Sequence, residues 1–89
     1  VKGLLIGESV EPQTRQAMRE WLEDRPEVVR VFNLITLQLG DDIMVAVKAE
    51  LREQPGSRQL IDAINACERA LRTAFPRVRW LFFEPDHRD

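Results

Sequence analysis

The stretch IMVAVKAELR, residues 43–52, decides the fold of this chain. Its odd-numbered residues are all apolar, whereas the even-numbered ones become charged toward its end, and a period of two predicts a half-buried β-strand. Residues 28–39 before it are rich in Val, Leu, Ile and Phe. Their alternation slips around Asn33-Leu34, which predicts a bulge. Gly40-Asp41-Asp42 supplies a turn, so we expect an antiparallel hairpin.

Helical spacing of apolar residues predicts one helix on each side of this hairpin. The first helix runs from about Pro12 to Asp24, because proline suits a first helical turn and a second proline follows the predicted end. The second helix has Ser57 as its N-cap and ends before Pro76. Residues 77–84 then alternate as a third strand.

This order of elements predicts an α+β fold. Helix, strand, strand, helix, strand is an αββαβ open-faced sandwich, with a three-stranded mixed sheet and both helices on one face. The crossover through the second helix is right-handed, which places the third strand parallel beside the second.

One face of such a sheet stays uncovered. We expect the helices to cover Ile43, Val45, Val47, Leu81 and Phe83. Met44, Ala46, Trp80 and Phe82 then lie on the other face, and an exposed apolar patch of this kind is typical of a partner surface. The alternative is that both aromatic rings lie under the helices and the Arg79 face meets solvent.

Composition limits the class of protein. With 89 residues, we expect one small domain. The 13 Lys and Arg are balanced by 15 Asp and Glu, which disfavours nucleic acid as a partner. Cys67 is the only cysteine, so no intrachain disulfide forms, and we expect a buried thiol. No apolar run approaches the ~18 residues that a membrane span needs.

The chain contains no catalytic constellation that we recognise. It has neither a nucleophile elbow nor a phosphate-binding glycine loop, and its single histidine is His87. We therefore expect no enzyme. Glu84, Asp86 and His87 are the candidate metal ligands, and the alternative is a solvated tail. Asp41 and Asp42 are interpreted as turn residues, for which aspartate is common.

Several short motifs together resemble the cytoplasmic C-terminal domain of cation diffusion facilitators, a family of cation efflux transporters. Residues 4–9, LLIGES, are similar to the exit from the last transmembrane helix. Residues 30–36, RVFNLIT, resemble the first strand of that domain with its Asp-Leu-Arg-Thr signature altered. Leu39-Gly40 resembles its hairpin, and residues 75–85 resemble its closing strand.

The resemblance implies a metallochaperone-like domain, a relative of the ferredoxin-like fold. Such domains are homodimers beneath a membrane domain of the same chain that exchanges divalent cations such as zinc for protons. Residues 1–10 would then be the linker from the membrane, 11–85 the domain and 86–89 a tail. The chain begins at Val1 without an initiator Met, so we expect it to be part of a longer protein at the cytoplasmic face of the membrane.

The resemblance also implies an altered metal site. Family members with a well-formed cytoplasmic site carry histidines on the three strands and an acidic residue two positions after the last one. Those positions fall here at Phe32, Lys48 and Phe82, with Glu84 retained. One carboxylate beside an ammonium does not provide the four donors that zinc prefers. Apolar contact through Phe32, Trp80 and Phe82 is then expected to replace metal-bridged dimerisation.

We therefore interpret the chain as a dimerising regulatory domain of a divalent-cation efflux transporter. The expected dimer interface comprises Phe32, Met44, Ala46, Lys48, Trp80 and Phe82. No cofactor is certain, and a divalent metal such as zinc is the candidate. The alternative is a small-molecule-sensing αβ dimerisation module of a soluble protein, since this fold supports many functions. A soluble metal carrier is disfavoured, because the chain has no Cys pair and no His cluster.

Overall fold

The computed structural model describes residues 8–87. Within them the chain forms two helices and four strands, one of which has only two residues. In chain order these are β1 (Glu8–Ser9), α1 (Pro12–Glu23), β2 (Val28–Leu39), β3 (Asp42–Leu51), α2 (Ser57–Ala74) and β4 (Val78–Pro85). The predicted αββαβ order is confirmed. The described helices include none that is both long and apolar enough to cross a membrane.

The sheet has the order β1-β2-β3-β4. β2 and β3 are antiparallel, and β4 lies parallel beside β3, as the right-handed crossover requires. The two-residue β1 was not predicted; it pairs antiparallel with Leu37 and Gln38 of β2. It falls inside the stretch expected to be a linker, residues 1–10, whose first seven residues lie outside the described part of the chain.

The helix ends follow from local chemistry. Pro12 occupies the first turn of α1, where its missing N–H leaves no helical hydrogen bond unmade. Ser57 is not the N-cap of α2, contrary to the prediction; Gly56 takes that place in an extended conformation, and Ser57 is the first helical residue. α2 ends as the Phe75 N–H donates to Leu71 O at 2.8 Å, just before Pro76.

Bulges set which residues of the strands face the helices. The predicted slip in β2 is present slightly earlier, at Phe32, and a second irregularity occurs at Val29. β4 also changes register, because Ile43 pairs with Val78 and Met44 pairs with Trp80. Arg79 is the extra residue, so Val78 and Trp80 lie on opposite faces although simple alternation places them together.

The core lies between the sheet and the helices. The predicted covering of β3 is confirmed, since its odd-numbered residues from Ile43 to Ala49 are buried. Leu81 is buried and Phe83 is half-buried against the core. Cys67 is fully buried, as expected. The buried apolar residues are Val10, Met18, Leu22, Val28, Val31, Leu34, Ile43, Val45, Val47, Ala49, Cys67, Leu71, Val78 and Leu81.

A polar cluster joins the end of α1 to α2. Arg25 donates to both carboxylate oxygens of Glu27, at 2.8 and 3.1 Å. The Arg25 guanidinium also lies 5.3 Å from the centre of the Trp21 ring, which contacts Phe75 edge to face at 6.2 Å. Burial raises the pKa of the nearby Cys67 thiol to about 11, and the Glu27 carboxylate adds to this rise. Cys67 is therefore a protonated, buried thiol.

Candidate functional site

The sheet face opposite the helices is the candidate site, and we call it the open face. Strand register assigns its residues, because Cα partners on neighbouring strands point to the same side. They are Arg30, Asn33, Ile35, Leu37 and Leu39 from β2, Asp42, Met44, Ala46, Lys48 and Glu50 from β3, and Trp80, Phe82 and Glu84 from β4. No described helix contributes to this face.

Two adjacent rows across the three strands are entirely apolar, and we call them the apolar band. One row is Leu37, Met44 and Trp80, and the other is Ile35, Ala46 and Phe82. Exposure is 48% for Ile35, 38% for Trp80 and 59% for Phe82. Because large apolar side chains are seldom left exposed together, the band is the part of this face best suited to a partner.

A cavity adjoins the second row of the band. It has about 450 Å³, and its lining includes Ile35 and Phe82 of that row together with Leu81, Phe83 and Glu68 from the helix-covered side of the sheet. Ala46 lies between Ile35 and Phe82 in the row and also lines the cavity. The cavity is therefore not confined to the open face.

Charged pairs border the band at both ends. At one end Arg79 lies 3.5 Å from Asp42, and its guanidinium is 5.4 Å from the centre of the Trp80 ring. At the other end Lys48 Nζ lies 3.5 Å from Asp86 Oδ2. Arg30 and Glu50 form a further pair at 3.0 Å. Each border carries both signs of charge, so a second copy of the face meets no uniform repulsion.

The residues expected at a dimer interface fall at three different places. The structure brings Met44, Ala46, Trp80 and Phe82 together in the apolar band, and Lys48 lies in the next row. Phe32 stands apart from these rows. It occupies the β2 bulge, where it is half-buried with the Arg30 guanidinium 6.0 Å from its ring centre.

The three candidate metal ligands are not gathered into one site. Asp86 is ion-paired with Lys48 and accepts the His87 N–H at 2.8 Å, while His87 Nδ1 lies 3.7 Å from it. Glu84 is the register partner of Lys48. Among residues 8–87 no three His, Cys, Asp or Glu side chains are placed to hold a metal ion. Metal binding by these residues stays a prediction.

A further cavity was not predicted from the sequence. It has about 740 Å³ and opens at the end of the sheet where β3 and β4 finish and α2 begins, with Val29, Leu60, Pro85 and His87 among its lining residues. Only the crossover from β3 to α2 hinted at such a groove, since crevices in sheets with parallel strands lie at the carboxyl ends of those strands.

No family model matches the sequence, and no curated protein matches it. Solved structures do match. A variant of the MamM C-terminal domain superposes with a TM-score of 0.77 at 19% identity, covering 89% of this chain and 100% of that chain. The cadmium form of another MamM variant gives a TM-score of 0.75 at 19% identity, covering 88% and 98%.

A second protein gives an equally complete match. CzrB, described as a candidate zinc transporter, superposes in its zinc form with a TM-score of 0.74 at 23% identity. The match covers 94% of this chain and 99% of that chain. At such low identities the likeness concerns the fold, and the fold of this chain is that of the MamM and CzrB C-terminal domains.

Proposed function

We propose that this chain is the cytoplasmic C-terminal domain of a cation diffusion facilitator, where it holds two copies of the transporter together. The observation that carries the proposal is the apolar band, an exposed face on a domain whose other sheet face is covered by helices. The fold supports it, because its structural neighbours are C-terminal domains of such transporters. No catalysis is assigned to the domain itself.

The proposed dimer joins the open faces of two copies and does not require a metal ion. The position that resembles a family histidine on β3 is Lys48, whose ammonium already neutralises Asp86. A further cation beside it meets repulsion from the ammonium. The apolar band then supplies the association energy, and its charged borders set the relative orientation of the copies.

The expected affinity is moderate. Roughly 100 Å² of each Trp80 and Phe82 ring is available for burial, given the ~150–250 Å² that aromatic side chains bury. Four such rings in a dimer give about 10 kcal/mol of gross stabilisation at ~25 cal/mol/Å². Association itself costs about 4–15 kcal/mol in lost freedom of motion. Burial of the other residues of the apolar band adds stabilisation that offsets part of this cost. We expect a dissociation constant in the micromolar range.

The test is the mass of the metal-free domain, measured by light scattering over a range of concentrations. Phe82→Asp should weaken association at least tenfold, which corresponds to about 1.4 kcal/mol. Ile61→Asp is the matched control, because Ile61 is 55% exposed but lies on α2, away from the open face. A wild-type domain that stays monomeric at high micromolar concentration would contradict the proposal.

Zinc titration in the same samples separates two forms of regulation. If the dimer forms without zinc and its mass does not change on titration, the domain is a constitutive link between subunits. If zinc binds tightly and drives monomers into dimers, then Glu84, Asp86 and His87 take part in a metal-sensing switch. Substituting His87 by Ala would then abolish the response to zinc while leaving the apolar band unchanged.

A small-molecule-sensing module is the second candidate function. The groove of about 740 Å³ at the end of the sheet favours it, since ligand pockets have about this volume. The sequence upstream of this domain in the full protein distinguishes the two. Transmembrane helices with paired Asp and His support the transporter, and another soluble domain supports the sensor.

A further inference from the structure

The two edges of the sheet differ in how well they are protected from pairing with another strand. Along β2, the two residues of β1 cover Leu37 and Gln38. Further along the same edge Arg15 donates to Leu34 O at 3.1 and 3.3 Å, and Arg19 donates to Val31 O at 3.1 Å. Side chains from α1 therefore occupy the carbonyl groups that another strand would use. The two bulges of β2 also make the remaining backbone of this edge irregular, which disfavours pairing with another strand.

Within residues 8–87 the β4 edge has no such protection. β4 is the last strand of the sheet, and the Asp86 N–H donates to Ala49 O of β3 at 2.9 Å. Backbone groups alternate in direction along a strand, so the groups of Phe82 and Glu84 also point toward β3. Those of Leu81 and Phe83 point outward. Among residues 8–87, no side chain donates to or accepts from these outward groups.

An unpaired edge of this kind is a template for another strand. The side chains of β4 are apolar from Trp80 to Phe83 and include no lysine, which is the residue that most often protects an edge. Proline at position 85 ends the usable edge, because it has no N–H to donate. The template is therefore short and centred on Leu81 and Phe83.

The charged side chains near the two ends of β4 determine which strand can pair with its edge. Arg79 lies near one end of the strand and Glu84 near the other. A second β4 in the parallel direction brings Arg79 beside Arg79, whereas an antiparallel one brings Arg79 close to Glu84 of the second copy. The antiparallel register centred on Leu81 also pairs Trp80 with Phe82 of the second copy on the open face. Such aromatic pairs stabilise neighbouring strands.

We propose that the β4 edge binds β4 of a second copy of this chain in the antiparallel direction, so that two sheets become one continuous sheet. This contact uses backbone groups at the edge and is separate from the face-to-face contact of the apolar band. It does not depend on the proposed transporter function. A chain that uses both surfaces assembles beyond the dimer.

Amide hydrogen exchange of the metal-free wild-type domain tests the proposal, followed residue by residue by NMR at low and at high protein concentration. The amides of Leu81 and Phe83 should exchange rapidly in the monomer. When about 90% of chains are paired they should exchange about tenfold more slowly, because only unpaired chains expose them. Phe82 and Glu84 are internal controls, since their bonds to β3 protect them at both concentrations.

Mass measured in the same samples makes the outcomes decisive. Association without protection of Leu81 and Phe83 overturns edge pairing and leaves the face-to-face dimer standing. A monomer at high concentration overturns both. A charge exchange gives a second readout: Arg79→Glu should reduce the concentration-dependent protection, and adding Glu84→Arg should restore it. If the double variant shows no more protection than the single one, the antiparallel register is wrong.

Discussion

The Arg25–Glu27 pair offers the sharpest test of how the helix layer is held together. Arg25 donates two hydrogen bonds to the Glu27 carboxylate, whose side chain is only 14% exposed. The carboxylate raises the pKa of Arg25 further above its ordinary value, so the guanidinium stays charged. The same guanidinium lies over the Trp21 ring. Removing Arg25 leaves a largely buried carboxylate without this partner.

The free energy of unfolding that Arg25 contributes can be derived from these contacts. Hydrogen bonds to charged groups contribute about 1.5–3 kcal/mol, and a cation over an aromatic ring adds about 0.5–1 kcal/mol. Partial exposure of Arg25 reduces the total through solvent screening. We expect Arg25→Ala to lower the free energy of unfolding by about 2–3 kcal/mol. For a domain of this size that corresponds to a fall in Tm of roughly 8–24 °C.

A double-mutant cycle isolates the pair. Arg25→Ala, Glu27→Ala and the double variant are unfolded in urea and followed by circular dichroism. The double variant should lose about 1–2 kcal/mol less than the sum of the single variants, since it leaves no unpaired charge. If the effects add within ~0.5 kcal/mol, the two side chains are not coupled and the reasoning fails.

Three further predictions concern other parts of the fold. The free energy of unfolding should fall as the pH rises from 9.0 to about 11, because the Cys67 thiol ionises in the unfolded chain before it does in the folded one; Cys67→Ala should remove most of this slope. Replacing both Arg15 and Arg19 by Ala should expose the β2 edge and cause association detectable by light scattering, whereas an unchanged mass would show that the two arginines do not protect it. Gly40→Ala should destabilise the domain by about 1 kcal/mol in urea unfolding, because Gly40 has a φ of 65° in the hairpin turn, and a neutral effect would mean that the turn relaxes.

Periodicity alone was sufficient to predict most of the architecture. Alternation over residues 43–52 identified the central strand and which of its side chains enter the core. Proline at positions 12 and 76 marked helix ends within one or two residues of those observed. These features depend on neighbours in the sequence, since steric restriction and side-chain alternation act over a few residues.

The candidate site was predictable in composition but not in geometry. The apolar alternation placed Met44, Ala46, Trp80 and Phe82 on one face, and the structure agrees. It did not show that Lys48 pairs with Asp86, or that Phe32 stands on a bulge away from the band. The extra residue at Arg79 was also missed, because a bulge in β4 depends on its register with β3.

Sequence by itself determined the order of the elements, the two-sided character of the sheet and the absence of any familiar catalytic pattern in the chain. Only the tertiary structure decided which groups far apart in the sequence form hydrogen bonds with each other. Arg15 and Arg19 reach carbonyl groups 19 and 12 residues away, which no local pattern records. Pairing across such separations requires the helix to be docked on the sheet first. Which polar groups are satisfied and which edge is left open is therefore set by packing.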